Sequence, residues 1–168
     1  YIIERFGDDC EILLHGISMG GATVLMASGL ELPNNVKGII SDCAFTSAWE
    51  VFVDVLKDMY HIPPYPIINI ANSISKSIAG YGLNECNSAE EVKKAKVPIL
   101  FIHGDNDTFV PCSMSKEIYK NCASPKALLI VKDAGHAESY YKDTINYEKK
   151  VKDFIERYLS NKEVIIND

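Results

Sequence analysis

With 168 residues, 47% of them hydrophobic and 24% charged, the chain is long enough to bury a single core. Seventeen Lys and Arg against 23 Asp and Glu leave a net charge of −6, which argues against a nucleic-acid surface or a patch for anionic membranes. No run of 18 apolar residues occurs, so no segment reads as a bilayer-spanning helix.

Tyr1 to Phe6 reads as the end of a helix, and a strand over about 10–15 follows, carrying Ile12-Leu13-Leu14. It runs into Gly16-Ile17-Ser18-Met19-Gly20, ahead of a helix-like stretch from Ala22 to Leu30. Strand, sharp turn and helix in that order make a nucleophile elbow. Such a turn forces Ser18 to positive φ, where side chains two positions before and after would collide. Gly16 and Gly20 are therefore read as removing the collision, and Gly21 as room for the helix to pack close. Pro33-Asn34-Asn35 ends that helix, and a second strand covers about 36–42.

The next segment, roughly 45–95, is too long for a simple crossover and reads as a helical lid. Phe52, Val55, Leu56 and Met59 form one helical stripe, and Ile67, Ile70, Ala71, Ile74 and Ile78 another. For most of these residues the ordinary reading is core. Prolines in His61-Ile62-Pro63-Pro64-Tyr65-Pro66 fix an extended hinge between the stripes, and Ser88 with Glu91 reads as a capping box.

A third strand over about 97–103 precedes the polar loop His103-Gly104-Asp105-Asn106-Asp107, and Pro111 begins a helix to about Asn121. A fourth strand, about 126–132, leads to Asp133-Ala134-Gly135-His136. The last helix, about 144–159, packs on the sheet through Val151, Phe154, Ile155, Tyr158 and Leu159, and the tail after Ser160 reads as frayed. Apolar strands alternating with helices predict a buried parallel sheet in an α/β fold.

A serine alkoxide does not exist at neutral pH, so Ser18 needs a base, and the base needs an acid to fix its tautomer. Asp105 and Asp107 lie at a strand's carboxyl end, where open α/β sheets place their sites, and His136 lies at another. The other histidines read as structural. His15 falls inside a strand as a satisfied core residue, His103 ends a strand and holds the acid loop, and His61 faces solvent in the hinge. His and Cys spacings match no zinc site, and the Gly16–Gly21 stretch lacks the P-loop lysine, so neither metal nor cofactor is expected. Five cysteines without a C-x-x-C read as reduced thiols of a reducing compartment. Cys10 and Cys43 read as core, and Cys112, opening a helix, is a candidate reactive thiol.

On its G-x-S-M-G-G (16–21), H-G-D-x-D-x-x-V-P (103–111) and terminal G-H (135–136), with Ser, Asp and His in that chain order, the sequence resembles the α/β-hydrolase family. More narrowly it resembles a bacterial, serine esterase-like branch, over its whole length. The resemblance implies the C-terminal portion of an α/β-hydrolase fold with a helical lid insertion. It makes Ser18 the nucleophile, His136 the general base and Asp107, just before x-x-V-P, the acid, with Asp105 left to hydrogen-bond the loop backbone. The Met19 N–H then serves as an oxyanion donor. Because inserted helices at this point in the family cover the active site, Phe45, Trp49, Tyr60 and Tyr65 become acyl-pocket candidates.

The implied activity is that of a carboxylesterase working through an acyl-enzyme on small or medium acyl esters, with no nucleic-acid or metal partner. A peptidase, thioesterase or acyltransferase of the same fold shares the triad. A non-catalytic remnant or binding domain is the alternative from another class. The chain departs from the family in starting late, since only nine residues precede Cys10 and Tyr1 is not an initiator methionine. Family members carry further strands upstream, and a second oxyanion N–H that neither His15-Gly16 nor His103-Gly104 replaces. A bare edge on the first strand is therefore expected, with self-association through it and weak catalysis.

Overall fold

Four apolar runs pair side by side in the computed structural model, which describes residues 1–159; the tail expected to fray lies outside them. β1 (Ile12–Ile17), β2 (Val36–Asp42), β3 (Ile99–Gly104) and β4 (Lys126–Val131) form one sheet in that order, every neighbouring pair parallel. Each strand falls within about two residues of the stretch expected from sequence, the usual uncertainty of an element boundary.

Alternation along the strands divides the core in two. Ile39, Ile99 and Phe101 point to one face, and Ile40, Leu100 and Ile102 to the other. The first face is covered by α2 (Met19–Ala27), α5 (Ser88–Glu91) and α6 (Cys112–Asn121), through Ala22, Leu25, Ala89 and Ile118. The second is covered by α8 (Thr144–Tyr158) through Tyr147 and Phe154. Being buried on both faces is why β2 and β3 read as unbroken apolar runs. Ile39, Ile99, Leu100 and Ile102 are completely buried, each stabilising the fold by about 1.5–3 kcal/mol.

β1 is paired on one side only among the described residues, and this corrects the reading of His15. Its ring is exposed at the sheet edge rather than held in the core, within 3.4 Å of the Tyr147 hydroxyl. Cys10, just before β1, is likewise only half-buried.

The segment between β2 and β3 is helical, as expected, but packs differently. It holds α3 (Ala48–Asp54), a wider π turn over Val55–Met59, α4 (Ile67–Ala79), α5, and a 3₁₀ turn over Val92–Lys94. The stripe Ile67, Ile70, Ile74 and Ile78 is exposed rather than core, Ile78 to 82%, and Phe52 and Met59 are also exposed. Ile68, on another side of α4, is the buried isoleucine of that helix. The start of α5 differs by one residue. Asn87 is the N-cap, its side chain accepting from the Glu90 N–H at 3.1 Å. Ser88 lies inside the helix, buried, with its hydroxyl donating to the Ala22 carbonyl.

The turn from β1 into α2 shows which glycines it needs. A Cβ on Gly16 would run into the Gly20 carbonyl, and one on Gly21 would sit 2.8 Å from the Asp42 carbonyl and 3.1 Å from Ala44 Cβ. A Cβ on Gly20 would meet nothing, so Gly20 supplies space for Gly16 through its backbone and not through its missing side chain. Gly21→Ala is expected to lower unfolding free energy by about 1–3 kcal/mol through overpacking. Gly20→Ala, at a helical position, should raise it by about 0.5–1 kcal/mol. Urea denaturation of the two variants measures both signs, and equal effects would contradict this account of the turn.

Candidate active site

Ser18 follows β1, Asp107 lies in the loop after β3, and His136 in the loop after β4. Parallel strands all end on the same side, so three stretches far apart in sequence converge there. His136 joins the other two: its Nδ1 is 2.7 Å from Asp107 Oδ2, and its Nε2 is 2.8 Å from Ser18 Oγ. A carboxylate only accepts, so Nδ1 carries the proton and Nε2 turns its lone pair to the Ser18 hydroxyl.

The Ser18 backbone sits at φ 54°, ψ −115°, in the left-handed half of the map. Serine commonly caps a helix with its hydroxyl, yet here the side chain makes no cap bond and is left to His136. Such a backbone costs about 1–3 kcal/mol. Two hydrogen bonds hold it: the Ser18 N–H donates to the Asp42 carbonyl at 2.8 Å, and the Ala22 N–H donates to the Ser18 carbonyl at 2.9 Å. Met19 opens α2, so its N–H has no acceptor within the helix.

Asp107 is saturated with donors. Oδ1 accepts from the Phe109 N–H at 3.0 Å and the Val110 N–H at 2.8 Å, while Oδ2 faces His136 at 2.7 Å and His103 Nε2 at 3.2 Å. Burial opposes the charge, but the hydrogen bonds from His103, Val110 and His136 outweigh it and hold the carboxyl below its ordinary value. His103 is wholly buried, as its role in holding the loop requires. Its Nε2 lies 2.9 Å from the Val110 carbonyl, an acceptor, so Nε2 carries a proton, while Nδ1 lies 2.6 Å from the Ser115 hydroxyl, which also reaches the Ala44 carbonyl at 3.3 Å. Asp105 points elsewhere, accepting from the Asp133 N–H at 2.7 Å and tying the β3 loop to the β4 loop.

Sequence reasoning missed two neighbours. Phe109 sets its ring edge-on to His136 with centroids 5.0 Å apart. Cys43, read as plain core, places its sulfur within 4.8 Å of the donor atoms of Asp107 and His136. Its position one residue beyond β2 was the available signal, because β2 ends at the same side as the other strands. Burial, then the Asp42 charge, push the Cys43 thiol up to about 12, so it remains protonated at neutral pH. This trio would be a metal-ligand set by proximity alone, but the imidazole nitrogens and carboxylate oxygens are already committed to each other. Cys112 is buried and its thiol is raised by that burial, which removes it as a reactive thiol.

The four aromatic residues expected to form one pocket separate. Trp49 and Tyr65, with rings 6.5 Å apart, line a cavity of about 450 Å³. Phe45 packs between two apolar clusters, and Tyr60 is exposed outside the cavity wall. The cavity is also less apolar than an acyl pocket, since Glu50, Asp54 and Glu117 share its lining.

Residues 1–162 match the profile of the prolyl oligopeptidase family. The chain is 33% identical to the uncharacterised protein YqkD of Bacillus subtilis over 143 residues, 85% of this chain and 47% of that protein. It thus spans about half the length of that relative. Among solved structures it is similar to the acylaminoacyl peptidase of Pyrococcus horikoshii, with a TM-score of 0.70, 21% identity, and coverage of 98% of this chain and 28% of the other. A Pyrococcus furiosus esterase superposes with a TM-score of 0.69 at 18% identity, over 95% of this chain and 58% of the esterase. At these identities the likeness carries the fold: a portion of an α/β-hydrolase, with its parallel sheet flanked by helices.

The lowered Asp107 carboxyl gives a signed expectation for stability. A carboxyl depressed in the folded state contributes stability above its unfolded value, and that contribution fades as pH falls through the folded value. Asp107→Asn should therefore lower unfolding free energy at pH 7 by about 1–3 kcal/mol, because its amide nitrogen cannot accept from both imidazoles. The gap to wild type should narrow once pH falls below the ordinary carboxyl value of 3.8. Asp105→Asn keeps an acceptor for the Asp133 N–H and should change little. Urea midpoints across pH check the pair, and an equal loss in both variants would overturn the assignment of the buried carboxylate.

Proposed function

The chain belongs to the prolyl oligopeptidase family, and from that premise we propose that it acts as a serine hydrolase, a carboxylesterase for small or medium acyl esters. The observation that carries this reading is His136 hydrogen-bonded at once to Ser18 and to Asp107. Ser18 Oγ attacks the substrate carbonyl carbon as its proton passes to His136 Nε2, and Asp107 stabilises the imidazolium so formed. The Met19 N–H donates to the developing oxyanion. Collapse expels the alcohol, which takes the proton from Nε2. Water then repeats the sequence on the acyl-serine, with His136 as base, and frees the acid. In this reading α3 and α4 act as a lid over the site.

Peptide-bond cleavage is the second reading, favoured by the family match itself. Both use one acyl-enzyme, and the leaving group, an alcohol or an amine, distinguishes them. Labelling with a fluorophosphonate probe, followed by p-nitrophenyl acetate and acetyl-alanine p-nitroanilide turnover, tests the two together. Ser18 is expected to carry the label, with the ester turned over faster. Ser18→Ala and His136→Ala should each lower ester kcat by several orders of magnitude, since the two act as a unit. A folded Ser18→Ala variant that keeps more than about a tenth of the activity would overturn the mechanism, and absence of any label would leave a binding domain as the better description.

A further inference from the structure

Asp42 closes β2 and is a second buried carboxyl at the end of the sheet where Asp107 lies. Its main chain already serves the site, since its carbonyl accepts from the Ser18 N–H at 2.8 Å. Its side chain has no such account. Only 3% exposed, it forms no ion pair among the described residues, and its Oδ1 has no hydrogen-bond partner among them. A second orphan stands beside it: Ser139 Oγ, fully buried and equally without a partner. Ser139 opens α7 (Ser139–Lys142), the turn that follows the His136 loop. The other groups that bear on the carboxyl are the Tyr147 hydroxyl of α8 and the imidazoles of His15 in β1 and His103 in β3, with the Cys43 thiol just beyond β2. α2, which also packs on β2, carries no titratable residue.

The contrast with Asp107 bears on the charge state. An ionised carboxylate offers about four lone-pair sites and no proton. Asp107 fills them with two N–H groups and two imidazoles, whereas Asp42 meets two hydroxyls. Neither imidazole near Asp42 makes up the difference, because His15 reaches the Tyr147 hydroxyl at 3.4 Å and His103 turns Nε2 to Asp107 and the Val110 carbonyl. Burial accordingly raises the Asp42 carboxyl above its ordinary value, and the hydroxyls and imidazoles do not cancel it. A proton on Oδ1 would remove both defects at once, since a protonated carboxyl has one O–H to donate and Ser139 Oγ can accept it. The segment so anchored needs holding: Ala137, between His136 and Ser139, sits at φ 59°, a strained backbone that persists only where its surroundings fix it. We propose that Asp42 is a positioning residue for His136: as a neutral acid it donates Oδ1–H to Ser139 Oγ and thereby anchors the turn that carries the imidazole. The catalytic meaning of the anchor rests on the serine hydrolase reading, and the bond itself does not. One residue then holds both partners, Ser18 by its carbonyl and His136 through Ser139.

Infrared difference spectra of wild type against Asp42→Asn at neutral pH read the proton without turnover. The variant should lose the C=O stretch of a protonated carboxyl, and loss of carboxylate bands in its place would overturn the proposal. The Nδ1–H of His136, bonded to Asp107, gives a far-downfield proton resonance that also needs no substrate. It should be lost to solvent exchange in Ser139→Ala and kept in Asp42→Asn, whose amide can donate the same bond; a resonance unchanged in Ser139→Ala would refute the positioning role. With p-nitrophenyl acetate, Asp42→Ala and Ser139→Ala should each lower kcat about tenfold while KM stays within about twofold. The double variant should lose no more than either single one, and Asp42→Asn should recover most of the loss seen in Asp42→Ala. Additive losses, or a lowered Tm with kcat unchanged, would count against the proposal decisively. Should Asp42→Ala not fold, Ser139→Ala, which removes a single oxygen, still decides. If wild type neither hydrolyses the ester nor takes a fluorophosphonate on Ser18, the hydrolase reading fails, while the two spectra still decide the bond.

Discussion

One buried carboxylate organises the strand-end loops of this protein. Asp107 accepts on both oxygens, two backbone N–H groups fixing its own loop and two imidazoles arriving from different directions. Removing water from a charge is costly unless donors replace it, and here they do so completely. The four bonds therefore determine each other: His103 anchors the loop from below, the loop N–H groups orient the carboxylate, and the carboxylate fixes the tautomer and direction of His136. Ser18 then meets a lone pair rather than a proton.

That arrangement depends on a rigid platform, which the two-faced core provides. β2 and β3 occupy the middle of the sheet, and apart from Lys37 their residues are buried. Their ends can shift little without opening both clusters. The strained serine backbone is held from β2 as well, by the Asp42 carbonyl. Stability and site geometry thus share the same strands, although the side chains that touch the site come from the loops beyond them.

Much of this was legible in sequence, and the failures have physical causes. Strands came through because burial on both faces leaves an apolar run that no other residue choice satisfies. Ser18, Asp107 and His136 could be placed because each follows such a run directly, and their side chains meet in the order the motif requires. Exposure was far less legible. The isoleucines of α4 have the spacing of a core stripe, but periodicity says only that a helix has two faces, not which one is covered. His15 was misplaced because a strand reads alike whether it lies at the centre or the edge. Ser88 lost the capping role to Asn87 by one residue, since both types cap equally well. Cys43 carried only the signal of standing one residue beyond β2, because its closeness to Asp107 and His136 arises from contacts between segments distant in the chain.

The hydrogen bond between His136 and Ser18 spans 118 residues of sequence, and the neighbouring loops reach it from separate strands. Local openings of such loops need less free energy than unfolding of the sheet beneath them. Any one opening breaks the whole line, so the assembled site behaves as a logical conjunction of three local equilibria. Its occupancy cannot exceed that of the least stable of the three, while the sheet reports only its own. On warming, a reagent directed at Ser18 would therefore register the weakest loop well before spectroscopy of the strands registers anything, and reactivity becomes a thermometer for local order.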